Sequence, residues 1–331
     1  MRVKLSKNFK ILLAVVFVAA LCTLPFWGLS KFAMRLAVFS GIYILLATSL
    51  NFISGIAGQV SLGHAAFFGI GAYTSALLAL KLNMDFSLCI LAAGIVSALI
   101  GWLVALPAMR LSGGYLAIVT LGFGQIVYIV LLNWIDFTRG PMGLVGIPSP
   151  VYFGFKFREP KYYYFIVLAL CIVVLLIFKN LINSRFGRNL RAIKDDEIAA
   201  SAMGVNIYRN KVNCFAISSA VAGIAGSLYA HFMLFIDPSK FVGDESTAIL
   251  SMVVLGGLGS MKGSIIAAIL LTLLPELLRG FSRYRMLIYG ILLVSVMLIR
   301  SVDWDKYKFT DRIRVFFKFA NKPKDSQKGG R

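Results

Sequence analysis

Along most of this chain, apolar runs about as long as a bilayer is thick alternate with short polar punctuation. A helix needs about 20 mainly apolar residues to cross the hydrocarbon core. Runs of that kind fall near residues 11–29, 33–53, 60–80, 86–109, 114–133, 162–179, 211–233, 247–260, 264–279 and 284–300; the run 247–260 is short before its glycines and reads either as a crossing, which the preferred count of ten takes, or as a segment that enters and returns. The pattern predicts an all-α integral membrane protein, a polytopic bundle of about ten transmembrane helices. Two runs are interrupted by glycine. "SGIAGQVSLGHA" (54–65) places Gly55, Gly58, Gln59, Ser61, Gly63 and His64 where lipid favours leucine, and "VVLGGLGSMKGS" (253–264) carries Gly256, Gly257 and Gly259. Unwound backbone at membrane depth must be satisfied by protein or water, so paired Gly-interrupted segments in both halves of a chain point to a solute path. The other reading is close helix packing, which Gly69 and Gly71 fit.

Composition agrees with the pattern. Of 331 residues, 59% are hydrophobic and 15% charged, and the mean hydropathy is +0.83, far from the balance of a water-soluble domain. The formal charge of +20 raises the question of nucleic acid, but its placement answers it. Four basic residues lie in the N-terminus 1–10, six in the loop 180–211 and nine in the tail 301–331. With ten crossings all three regions share one side, and the positive-inside rule makes that side cytoplasmic, with both termini. The charge thus sets orientation and contact with anionic membrane lipid, not nucleic-acid binding. Residues 11–29 follow Arg2, Lys4, Lys7 and Lys10 and read as a retained first helix rather than a cleaved signal. The chain divides into the basic N-terminus 1–10, one membrane domain 11–300, and the basic tail 301–331, whose end "NKPKDSQKGGR" has a disordered composition. Proline and glycine across 134–161 forbid a long helix there, and its aromatic residues suit a membrane interface.

Candidate chemistry is sparse. Cys22, Cys89, Cys171 and Cys214 stand singly in apolar runs, without metal or redox spacing. "GGLGSMKGS" (256–264) has lysine and glycine in the wrong order for a phosphate-binding loop. With two histidines and no convergent carboxylates, an enzyme is not expected. His64 serves either a solute path or a hydrogen bond to a neighbouring carbonyl. Gln59 and Ser61 either cap freed backbone or meet a polar solute. Glu276 beside Arg279 reads as a local ion pair, and the remaining charges in the spans are few and peripheral.

The loop 183–211, "NSRFGRNLRAIKDDEIAASAMGVNIYRNK", holds the remaining signal. Asp195 or Asp196 can start a short helix that Gly204 stops in a left-handed cap. Ile198, Ala199, Ala202 and Met203 then share one shallow apolar face. That face suits either a groove on another protein or the chain's own bundle.

Here the chain resembles a known family. "EIAASAMG" is similar to the coupling loop of ABC importer permeases, in which Glu-Ala-Ala is followed three residues later by Gly; Glu197 stands one place early, with Ile198 in the gap. The stretches "LNFISGIAGQVSLGHAAFFGIGAYTSALL" (50–78), "GGYLAIVTLGFGQIVYIVLLNW" (113–134), "TRGPMGLVGIP" (138–148), "GRNLRAIKDDEIAASAMGVN" (187–206), "LYAHFMLFIDPSKF" (228–241) and "SMVVLGGLGSMKGSIIAA" (251–268) together resemble the branched-chain amino acid ABC transporter permeases, LivM-type, over about 36–300. The resemblance implies a second homologous permease subunit, two ATP-binding subunits holding ATP and Mg, an extracytoplasmic amino-acid-binding protein and a bacterial inner membrane. It implies no cofactor on this chain, and a cargo of leucine, isoleucine or valine. Asp195, Asp196, Glu197, Ala199, Ala200 and Gly204 would carry coupling to the ATPase. Gly55, Gly58, Gln59, Ser61, Gly63, His64, Gly256, Gly257 and Gly259 are path candidates on their chemistry. A permease for urea or short-chain amides, and a stand-alone secondary transporter, are the alternatives.

Overall fold

The computed structural model describes residues 30–110, 114–152 and 155–277, with Cys22, Thr23, Pro25, Trp27, Gly290 and Val294. The chain divides into units 1–285 and 286–331, and of the second only Gly290 and Val294, both helical, are described. Those single residues apart, the runs expected at 11–29 and 284–300, both termini and the Glu276–Arg279 pair lie outside the described side chains.

Among the described residues six helices are long and apolar enough to cross a membrane. They are α1 (Lys31–Asn51, prolonged by a π-turn to Ile56), α2 (His64–Leu82), α3 (Phe86–Ala108), α4 (Gly114–Asn133), α6 (Pro160–Asn183) and α9 (Ile207–Met233). The shorter helices are α5 (Ile135–Thr138), α7 (Arg185–Asp195), α8 (Glu197–Ala202), α10 (Gly243–Gly256) and α11 (Met261–Leu277). Their ends follow local chemistry. Ser30 accepts from the Ala33 amide at the start of α1, Pro160 sits in the first turn of α6, and Asn206 accepts from the Arg209 amide at the start of α9.

The spans divide into an inner and an outer set. In α1, α2 and α9, 67% of the apolar stretch is buried, against 33% in α3, 22% in α6 and 17% in α4. The outward faces of the second set carry Leu91, Ile95, Leu99, Ile118, Ile126 and Leu176, all exposed, as a lipid-facing surface requires. Lipid is as apolar as leucine, so the inner set cannot rely on the hydrophobic effect and is held by close approach and buried hydrogen bonds. A Cβ on Gly71 would strike the backbone of Gly223, so α2 and α9 meet without side chains between them. Beside that contact, Ser75 shares hydrogen bonds with Ser227 (2.7 Å) and His231 (2.9 Å), and His231 reaches the Pro148 carbonyl at 2.7 Å. At the same end, β1 (Leu144–Val145) pairs antiparallel with β4 (Phe235–Ile236). A second ribbon pairs β2 (Val151–Tyr152) with β3 (Phe155–Lys156). Cys89, Cys171 and Cys214 are buried and unbridged.

The run at 247–260 forms helix only as part of α10, Gly243–Gly256. α10 has 14 residues and rises about 21 Å at 1.5 Å per residue, short of the roughly 30 Å hydrocarbon slab. The chain instead descends from β4 through Asp237 and a 3-10 turn (Pro238–Phe241) before α10 begins. Pro238 opens that turn, and Phe241 is held in the ring cluster of Phe68, Tyr73 and Tyr229.

Candidate functional site: two interrupted segments and a loop helix

α1 does not stop at Asn51. It widens into the π-turn Phe52–Ile56 and unwinds until α2 begins at His64. The Ser54 hydroxyl donates to the Gln59 carbonyl (3.1 Å), and the Gln59 amide donates to the Ile53 carbonyl (3.1 Å). Capping is therefore done by Ser54, not by the side chains of Gln59 or Ser61. Both of those are buried, and neither the Gln59 amide group nor the Ser61 hydroxyl has a hydrogen-bond partner among the described residues. His64 is fully buried; its Nε2 meets the Ser49 hydroxyl at 2.7 Å rather than a carbonyl, and its Nδ1 is unpartnered. Each such orphaned group costs about 1–3 kcal/mol, so three within six residues mark a place where something other than stability is served. The Leu62 amide donates to Thr120 Oγ1 at 3.0 Å, and Gly63 lies against the Thr120 backbone, which anchors the segment on α4.

The second interruption lies between α10 and α11, where Gly257 and Gly259 take φ of +93° and +88°, a region L side chains avoid. Gly256 lies against the backbone of Gly263 and Ser264, so the two helices pack closely across the turn. The two interruptions touch. The Gly259 amide donates to Asn51 Oδ1 at 2.8 Å, and Gly55 leaves no room for a Cβ against Gly259. Gly55, Gly58, Gly256, Gly257 and Gly259 are thus gathered at one end of the bundle. Gln59, Ser61, Gly63 and His64 follow along the unwound strand toward α2.

The loop is more structured than its sequence suggests. α7 has no counterpart in the reading above, although Phe186, Leu190 and Ile193 recur at helical spacing after Ser184, whose hydroxyl accepts from the Gly187 amide. Leu190 and Ile193 are buried, which seats α7 on the bundle. From its last turn Lys194 Nζ donates to the Gly55 carbonyl at 2.7 Å. The lysine stem lies over Gly58, where an added Cβ would come within 2.9 Å of Lys194 Cγ. One side chain thus connects the loop to the point where the two interruptions meet.

α8 follows directly. Asp196 Oδ1 accepts from the amides of Ile198 (2.8 Å) and Ala199 (3.0 Å). The Gly204 amide bonds to the Ser201 carbonyl and the Val205 amide to the Ala200 carbonyl, a Schellman closure with Gly204 at φ +78°. Of the loop residues singled out above, Ala200 is buried against the bundle and Glu197 is ion-paired to Lys211 of α9. Asp195, Ala199 and Ala202 face outward, and Ile198 and Met203 are each 84% exposed. The helix is moored on one side and open on the other.

One carboxylate bonds to a residue away from the ends of a span. Glu245, in the first turn of α10, accepts from Tyr43 of α1 (2.6 Å) and from Lys240 (2.7 Å). Tyr43 lies more than halfway along α1. The 202-residue separation between Tyr43 and Glu245 hid this group from local pattern.

The architecture defines a polytopic helical membrane protein with an ordered loop helix on one end. The chain belongs to the family described as branched-chain amino acid transport system / permease component, whose model matches residues 32–297. It is 39% identical over 318 residues to the high-affinity branched-chain amino acid transport system permease protein LivM of Escherichia coli, covering 89% of this chain and 74% of that protein. The probable LivM of Methanocaldococcus jannaschii is 30% identical over 259 residues, 67% of this chain and 74% of that one. The LivH permease of Escherichia coli is 28% identical over 278 residues, 78% of this chain and 89% of that one. No solved structure matches the chain.

Proposed function

We propose that this chain is one permease subunit of an ATP-driven importer of leucine, isoleucine and valine in a bacterial inner membrane. The likeness to both LivM and LivH supports a pair of unlike permeases forming the path between them. In this reading α7 and α8 lie in the cytoplasm with both termini. Ile198, Ala199, Ala202 and Met203 seat in a groove of an ATP-binding subunit, one of two that hold ATP and Mg, and an extracytoplasmic protein delivers the amino acid. The observation that carries the reading is the Lys194–Gly55 hydrogen bond of 2.7 Å. Movement of the docked loop is passed through it to the junction of the two interrupted segments, and Gln59, Ser61 and His64 have side-chain atoms free to meet a solute or its water.

Co-expression with the neighbouring permease, ATPase and binding-protein frames, followed by reconstitution, tests this. The expected result is an ATPase that co-purifies with this chain and ATP-dependent leucine uptake that requires the binding protein. Uptake of urea in place of leucine would assign a different cargo to the same machine. Ion-gradient-driven uptake by this chain alone would overturn the importer reading.

A further inference from the structure

Lys240, Glu245 and Tyr43 form a hydrogen-bonded group in an unusual place, and Asp244 precedes Glu245 in the first turn of α10. Lys240 Nζ donates to Glu245 Oε2 (2.7 Å) and to the Tyr43 hydroxyl (3.2 Å), and Tyr43 donates to Glu245 Oε1 (2.6 Å). Asp244, next along, is exposed and has no hydrogen bond or ion pair among the described residues. The depth is fixed by neighbours. Tyr43 is eight residues short of the end of α1, about 12 Å from the Asn51–Gly259 contact. The adjoining Ser246 hydroxyl accepts from Ala65 in the first turn of α2 at 2.9 Å, and Phe241 lies on Gly69 of the same helix. The group therefore stands well inside the span.

Two features show that its open side does not face lipid. The backbone over Pro238–Phe241 is not α-helical, and its neighbours Ser239, Gly243 and Asp244 are exposed. Such backbone is tolerated at membrane depth only where protein covers it or water reaches it. The same face of α10 continues with Thr247 and then Ser251, one and two turns on from Asp244, while Ile249, Met252 and Val253 are buried behind it. A carboxylate at this depth is excluded from hydrocarbon, so the stripe faces water or protein and not lipid. Ser40, one turn before Tyr43, is buried with its hydroxyl unpartnered, a further polar group in this region with no protein partner.

We propose that this group is a station for the zwitterionic head of an α-amino acid, with Lys240 taking the carboxylate and Asp244 the ammonium. The Lys240–Glu245 pair is neutral overall, and Asp244 adds one negative charge that favours an ammonium group beside it. Glu245 and Tyr43 hold the lysine in place. An uncharged amide gains neither contact, so the station discriminates by charge. It adjoins the Gln59–His64 strand through the Ser246–Ala65 hydrogen bond and rests on the importer reading above.

The test uses the whole permease–ATPase complex in nanodiscs of phosphatidylglycerol, which excludes zwitterionic headgroups, without the binding protein and its own amino-acid site. L-leucine is the probe, read by saturation-transfer NMR, with leucinamide, 4-methylpentanoate and urea as comparators. Leucine is expected to bind, and the three comparators about tenfold more weakly or not at all. Asp244→Asn and Lys240→Gln are each expected to weaken leucine about tenfold, the size of a lost charge-assisted contact. Lys240→Gln also breaks the pair with Glu245, so if it fails to assemble the exposed Asp244→Asn carries the test. ATP-driven leucine uptake with the binding protein present is measured in parallel. Uptake together with leucine binding that Asp244→Asn leaves unchanged, or with no binding to the complex at all, overturns the station and leaves the importer standing. Absence of leucine uptake overturns both.

Discussion

Replacing Lys194 by methionine isolates the one contact on which coupling is argued to depend. Methionine keeps the unbranched stem that lies over Gly58 and removes the ammonium that donates to the Gly55 carbonyl at 2.7 Å. A hydrogen bond from a charged donor contributes about 1.5–3 kcal/mol. Lys194 is largely exposed, and water competes for both partners, so the lower end of that range applies. About 1.4 kcal/mol is a factor of ten in rate. Lys194→Met should therefore lower ATP-driven leucine uptake about tenfold in proteoliposomes, with the ATPase still bound to the complex. Hydrolysis should fall less than uptake, because the motor stays docked through α8 while its movement is no longer passed on. Lys194→Arg, which keeps a donor, should recover part of the loss. Uptake by Lys194→Met within twofold of the original protein, at equal complex yield, would refute the link.

Three further outcomes follow from contacts described above. Ile198→Asp and Met203→Asp alter side chains that are 84% exposed, so unfolding of the purified chain should shift by no more than about 0.5 kcal/mol. Co-purification with the ATPase should weaken at least about tenfold; intact co-purification would place the docking surface elsewhere. Gly71→Ala drives a methyl group into the Gly223 backbone and should cost about 1–3 kcal/mol, seen as a lower detergent unfolding temperature. An unchanged temperature would mean that α2 and α9 are not locked at that point. Ser49→Ala removes the side-chain partner that His64 has among the described residues and should destabilise the fold by about 1–3 kcal/mol, with Ser49→Thr closer to the original in the same unfolding measurement.

The long spans were legible because a run such as 162–179 has few other ways to satisfy its backbone in lipid. Their mutual arrangement was not, since the α2–α9 seam depends on which glycines face each other and periodicity is blind to that. In the loop, the cap residues Asp196 and Gly204 were readable because capping is local. α7 was missed because arginines at 185, 188 and 191 mask an apolar face of only Phe186, Leu190 and Ile193. The boundary of α10 was misplaced for a related reason: the helix begins with Asp244 and Glu245, outside the apolar run that hydropathy detects. Orphaned polar atoms at Gln59, Ser61 and His64 were foreshadowed by residue type alone, but the absence of partners is a property of the folded chain.

The late start of α10 also bears on how this chain experiences voltage. Where water reaches Asp244, the membrane potential drops across the remaining dry barrier alone. Along α1 the rise from Tyr43, which bonds Glu245 beside Asp244, to the Asn51–Gly259 contact is about 12 Å, in place of roughly 30 Å of hydrocarbon. The local electric field is then steeper than in the surrounding lipid. The Asn51–Gly259 contact stands at the far end of that barrier.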